Sequence, residues 1–173
     1  MLPRLTFVLG GARSGKSSFA ENLLTTQGKQ KVYIATAQAF DAEMEQRISL
    51  HKTQRGGGWR EIEAPHDLAD ALGTVASDEV ALLDCATLWL SNRMLAEADL
   101  NLETELLLEA VRDCAGSLVI VSNEVGQGIV PENALARRFR DAQGRLNQRL
   151  AAEADLAVLI AAGLPLVLKG RLP

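Results

Sequence analysis

The chain has 173 residues, 47% of them apolar, 4% aromatic and 23% charged, with a formal net charge of −4. That is enough for one sizeable core and short for two. The acidic balance argues against a nucleic-acid or anionic-membrane surface, so no nucleic-acid partner is expected and any anion must be held by a local site.

In chain order, apolar runs alternate with helical patterns, with no linker or repeat between them. "RLTFVLG" (Arg4 to Gly10) reads as a buried strand, and "SSFAENLL" (Ser17 to Leu24) as a helix with Phe19 and Leu23 inward. "KVYIAT" (Lys31 to Thr36) is a second strand. Asp41 to Arg55 reads as a helix with Asp41 as N-cap and "GGG" (Gly56 to Gly58) as its terminator. "WREIEA" (Trp59 to Ala64) alternates like a half-buried strand, "HDLADALGTV" is a short helix, and "VALLDC" (Val80 to Cys85) is an apolar run ending at an acid. Two helices, "TLWLSNRML" and "LETELLLEAVRDC", precede the buried strand "SLVIVSN" (Ser117 to Asn123). Pro131 to Ala154 forms a long helix with Pro131 in its first turn, and Leu135, Phe139, Ala142, Leu146 and Leu150 make its apolar face. "LAVLIAAG" and "LPLVLK" close the chain as one or two strands. Strands with little polar alternation, separated by helices, predict a single α/β domain over residues 1–173, with a mainly parallel sheet covered by helices on both faces. Cys85 and Cys114, without metal-ligand spacing, read as reduced core residues. No apolar run approaches the ~20 residues of a membrane span, the N-terminus is too short for a signal sequence, and a cytoplasmic protein is expected.

Gly10, Gly15, Lys16 and Ser17 match G-x-x-x-x-G-K-[ST] between a strand and a helix. Glycines let the backbone curl so that successive N–H groups, with the helix dipole behind them, face phosphate oxygens. Lys16 would reach the β- and γ-phosphates, and Ser17 would hold Mg²⁺. Asp84, after "VALL", stands where a carboxylate organises that metal; the bland reading is a helix cap. No N-K-x-D base-recognition motif occurs, "SNEVG" at Ser122 to Gly126 not being one.

Of two histidines, His66 reads as a capping or packing residue. His51 shares a helical stripe with Met44, Ile48 and Arg55. It is either a histidine at the edge of the core or a nucleophile, since a neutral imidazole can attack an α-phosphorus. Arg47 and Arg55, four residues to either side, disfavour the imidazolium and, with Lys52, could steady phosphate charge. Asn123, Glu124 and Gly126 to Gly128 form a polar loop at a strand end, either a turn or an acceptor site.

Together "GGARSGKS", "YIATAQ", "DAEMEQRISLHK", "WREIEAP", "LLDCATLWLSN", "SNEVGQGIVPENALARRFRD" and "GRLNQRLA" resemble, nearly end to end, the bifunctional adenosylcobinamide kinase/adenosylcobinamide-phosphate guanylyltransferases of cobalamin biosynthesis. The resemblance implies a P-loop, RecA-like domain. It implies phosphorylation of adenosylcobinamide with ATP or GTP, then transfer of GMP from GTP to adenosylcobinamide-phosphate through a guanylylated histidine, matched by His51. It places nucleotide contacts at Gly10, Gly11, Ala12, Arg13, Ser14, Gly15, Lys16 and Ser17, at Ala35, Thr36 and Ala37, at Lys52, Thr53, Gln54 and Arg55, and at Glu63 and Asp84. Ser17 and Asp84 would serve Mg²⁺, Asp84 departing from relatives that carry Glu. Glu63 could accept guanine N1–H and N2–H₂ together, a donor pair adenine lacks. Relatives of this kind assemble as trimers, so a homo-oligomer is expected. Two other readings stay open: a monofunctional small-molecule kinase, and a non-catalytic GTP-responsive regulator, which the missing N-K-x-D and the presence of His51 count against.

Overall fold

The computed structural model describes residues 2–38 and 56–173. The expected helix at 41–55, with His51 and its neighbours, lies outside the described residues. The elements are β1 (Leu5–Gly10), α1 (Lys16–Thr25), β2 (Gln30–Ala35), β3 (Trp59–Glu63), α2 (Leu68–Gly73), β4 (Glu79–Asp84), α3 (Ala86–Leu95), α4 (Leu100–Asp113), β5 (Ser117–Asn123), α5 (Ala134–Glu153), β6 (Leu156–Ala161) and β7 (Leu164–Lys169).

Seven strands form one sheet in the order β3-β2-β4-β5-β1-β6-β7. All neighbours run parallel except β7, which folds back antiparallel on β6. Strand residues buried on both sides divide between two apolar layers, as alternation requires. Leu5, Phe7, Leu118 and Ile120 face α2 to α5, with Trp89, Leu108 and Leu146. Val8, Leu82, Val119 and Val121 face α1, with Ala20 and Leu24. The expected mainly parallel sheet covered on both faces is therefore present.

The long helix departs from expectation in its first turns, and two other local details are refined. In α1 the deepest residues are Ala20 and Leu24, while Phe19 and Leu23 are half-buried against the same layer. The long helix starts at Ala134, not in the Pro131 turn, because the Asn133 side chain accepts the N–H groups of Leu135 (2.8 Å) and Ala136 (3.1 Å) and so ends the loop there. Its first turn overhangs the core, which leaves Leu135 half-exposed, and the buried face begins in earnest at Ala142. The closing segment is two strands, joined at Ala162 and Gly163, both with positive φ (51° and 80°), the twist a tight hairpin needs.

Candidate active site

The turn after β1 is built for an anion. Gly15 caps α1 at φ 93° with no side-chain cap, so the N–H groups of the first turn remain available to a ligand. Arg13 adopts a left-handed φ of 55° at the loop's exposed tip, a conformation that costs a non-glycine residue about 1 kcal/mol. Ser14 Oγ is buried without a partner among the described residues, an orphan that a phosphate oxygen would satisfy. The loop is braced from β6 and its hairpin, where the Gly163 N–H donates to the Ser14 carbonyl at 2.8 Å. Lys16 closes inward and donates from Nζ to the Gly11 carbonyl at 3.1 Å. Burial draws its ammonium below the ordinary 10.5, while Cys85 and Asp84 hold it up.

Asp84 ends β4, two strands from β1, or about 10 Å at the usual spacing. The Tyr33 hydroxyl donates to its Oδ2 at 3.1 Å. The turn beyond it is clamped by Thr36: the Cys85 N–H donates to Thr36 Oγ1, and that hydroxyl donates to the Cys85 carbonyl, both at 2.8 Å. Asn92 Nδ2 then donates to the carbonyls of Thr36 (2.9 Å) and Pro65 (3.0 Å), fastening α3 to the ends of β2 and β3. Burial pushes the Cys85 thiol up to about 11, so it stays protonated, as a core cysteine should. No group of three His, Cys, Asp or Glu among the described residues could hold a metal alone. Ser17 and Asp84 do fit a Mg²⁺ that shares its coordination with nucleotide phosphates, the usual habit of that ion.

A model of the family described as cobinamide kinase / cobinamide phosphate guanyltransferase (CobU) matches residues 6–168. The chain belongs to that family. It is 45% identical over 167 residues to the bifunctional adenosylcobalamin biosynthesis protein CobP of Pseudomonas aeruginosa, covering 95% of this chain and 96% of that one. It is 42% identical to the bifunctional adenosylcobalamin biosynthesis protein CobU of Salmonella typhimurium, and 39% identical to that of Escherichia coli, each alignment covering 95% of this chain and 99% of the relative. Among solved structures, the RadB recombinase superposes with a TM-score of 0.49 at 18% identity, over 91% of this chain and 74% of that chain. Membership makes the chain a transferase, a cobinamide kinase and cobinamide phosphate guanyltransferase.

In this kinase-guanyltransferase the structure brings Gly10 to Ser17 and Asp84 together at the C-terminal edge of the sheet. Ala35 stands on the same edge, in register with both Asp84 and Glu63. Thr36 is fully buried with its hydroxyl committed to Cys85, so it sets the position of Asp84. Glu63 is exposed at the end of edge strand β3, four strand spacings from β1, or about 19 Å. His51, Lys52, Thr53, Gln54 and Arg55 lie outside the described residues. His66 packs as expected: its carbonyl accepts the Trp89 indole N–H at 3.0 Å and its ring lies 3.4 Å from Gln38. Sequence reasoning missed Tyr33 and Asn92, whose roles depend on which strands become neighbours.

Proposed function

We propose that this chain phosphorylates adenosylcobinamide with ATP or GTP and then forms adenosylcobinamide-GDP by way of a guanylylated His51. The observation that carries the nucleotide reading is the uncapped, Gly15-started turn, with Lys16 folded inward onto the Gly11 carbonyl at the sheet edge where Asp84 ends β4. In the kinase step the loop N–H groups and Lys16 hold the β- and γ-phosphates while the acceptor hydroxyl attacks the γ-phosphorus; the bond to the β,γ-bridging oxygen breaks, the nucleoside diphosphate leaves and the hydroxyl proton passes to water. Ser17 and Asp84, together with the phosphates, would hold Mg²⁺, which would supply charge neutralisation there. In the second step a neutral His51 nitrogen attacks the α-phosphorus of GTP, the bond to the β-phosphate oxygen breaks and pyrophosphate leaves. An oxygen of adenosylcobinamide-phosphate then attacks the same phosphorus, the P–N bond breaks and the imidazole is freed. Two displacements suit a weak nucleophile such as a phosphate monoester. Arg47, Lys52 and Arg55 steady the transferring phosphate, and Glu63 reads the guanine edge.

We further assign all 173 residues to one catalytic domain working in the cytoplasm as a homo-oligomer, a trimer by family resemblance. The exposed leucines of edge strand β7 support self-association. No described helix is long and apolar enough to cross a membrane.

Labelled GTP tests the covalent step. Label from the α-position is expected to remain on the protein in acid-labile form and to vanish in His51→Asn; label from the γ-position is expected not to be retained. Trapping of α-label by His51→Asn would refute the assignment. A chain that phosphorylates acceptor yet never holds α-label would be a plain kinase.

A further inference from the structure

β5 lies between the phosphate-loop strand β1 and the Asp84 strand β4, so its last residue stands between the two halves of the site. The two neighbours do not end together. Pairing with β4 stops at Asp84 and Val121, whereas pairing with β1 continues to Gly10 and Asn123. Beyond Val121 the backbone of β5 on the β4 side would be left without hydrogen bonds.

Side chains replace the missing strand. The Asn123 N–H donates to the Thr87 hydroxyl in the first turn of α3, at 2.7 Å. Asn147 of α5 donates from Nδ2 to the Asn123 carbonyl at 3.1 Å. Both side chains belong to one buried network. Ser122 Oγ donates to Asn147 Oδ1 at 2.7 Å, and Gln143 Nε2 donates to Ser122 Oγ at 2.9 Å and to Asn147 Oδ1 at 2.8 Å. The hydroxyls of Thr87 and Ser122 are 3.3 Å apart. A buried polar group is costly wherever an apolar one would pack, so a network of four needs a reason. Here its outlet is the backbone of a single residue.

That residue's side chain lies on the phosphate-loop face of the sheet. Val119 and Val121 point to the α1 layer, and Ser122 points to α5. Alternation therefore turns Asn123 toward α1, the face on which the loop opens and on which Asp84 lies in phase with Leu82. Its carboxamide is half-buried and makes no hydrogen bond among the described residues.

Resting on the nucleotide reading above, we propose that Asn123 contacts the terminal phosphoryl group of the bound nucleoside triphosphate, and that Thr87, Ser122, Gln143 and Asn147 are its positioning residues. A carboxamide offers N–H donors to a phosphate oxygen and a carbonyl to an approaching hydroxyl, with no charge to repel either. It would distinguish triphosphate from diphosphate.

The test measures binding of β,γ-imido-GTP and of GDP to the full chain by calorimetry. Asn123→Ala should lose about tenfold in affinity for the triphosphate analogue while GDP affinity shifts less than twofold. Thr87→Val, isosteric but without the acceptor, should lose the same discrimination, Thr87→Ser should keep it, and Asn123→Ala/Thr87→Val should be no worse than either single variant. An unchanged triphosphate-to-diphosphate ratio in Asn123→Ala would overturn the contact. A Thr87→Val that melts earlier but keeps the ratio would reduce the network to ordinary scaffolding and overturn the positioning role. A parent chain that binds neither nucleotide would overturn this inference and the nucleotide reading together, whereas binding with an unaltered ratio removes this inference alone.

Discussion

At Gly10 a side chain has nowhere to go. A Cβ there would stand 2.4 Å from Ser14 Oγ and 2.8 Å from the Ile160 carbonyl oxygen. The first obstacle can rotate away, but the second is backbone of β6 and can move only with the sheet. Gly10→Ala should therefore push the loop off β6, destabilising the fold by about 1–3 kcal/mol and weakening nucleotide binding at least tenfold. Denaturant unfolding and calorimetry would read the two effects separately. Parent-like values in both would show that the loop does not depend on this close approach. The motif made Gly10 legible as a phosphate-loop residue. It did not reveal that the demand for glycine comes from β6, almost at the far end of the chain. Tyr33 makes the same point from the other direction: nothing local to "KVYIAT" marks its hydroxyl as the partner of Asp84.

Among the elements, edge strand β3 is held by more than its pairing with β2. Arg60 donates from Nε to Glu79 Oε1 (3.1 Å) and from Nη2 to Glu79 Oε2 (2.7 Å), and it also reaches the Thr74 carbonyl at 3.1 Å. The fork crosses β2 and ties β3 to the start of β4. The hydrogen bonds from Arg60, then the Ala76 N–H, hold the Glu79 carboxyl below its ordinary 4.5. A carboxyl more acidic folded than unfolded stabilises fully above the unfolded value, and the contribution drains away as pH falls through the folded one. Because Arg60 is 42% exposed, the pair is screened and its worth is about 0.5–1 kcal/mol. Glu79→Gln should thus lower the melting temperature at pH 7, with the difference shrinking as pH drops below 4.5. A gap of equal size at both pH values would mean that shape, not charge, holds this edge. The start of α5 belongs to the same scale, since the sequence pointed to Pro131 and the Asn133 side-chain cap on Leu135 and Ala136 moved the start to Ala134.

For the whole molecule, the least settled surface is β7. Leu164 (72%), Leu166 (56%) and Leu168 (56%) are exposed on a strand with one free edge, which soluble proteins ordinarily blunt with charge or cover. Lys169 anchors its end by donating to the Ala151 and Ala152 carbonyls of α5, so the strand is held in place rather than loose. The double change Leu166→Lys and Leu168→Lys should convert the proposed oligomer to single chains in sedimentation equilibrium, while the far-ultraviolet circular dichroism of the fold persists. An undiminished mass would place the contact elsewhere. The sequence by itself determined the kind and order of nearly every described element and the presence of a phosphate loop, because apolar runs, glycine-bearing turns and the G-x-x-x-x-G-K-S spacing act through neighbours in the chain. Only the tertiary structure decided that β5 enters between β1 and β4, that Thr36 clamps the turn after Asp84, and that four buried side chains finish the strand at Asn123. Parallel pairing joins segments distant along the chain, and its register is chosen by the packing of both sheet faces at once, so no local pattern of residues carries that information.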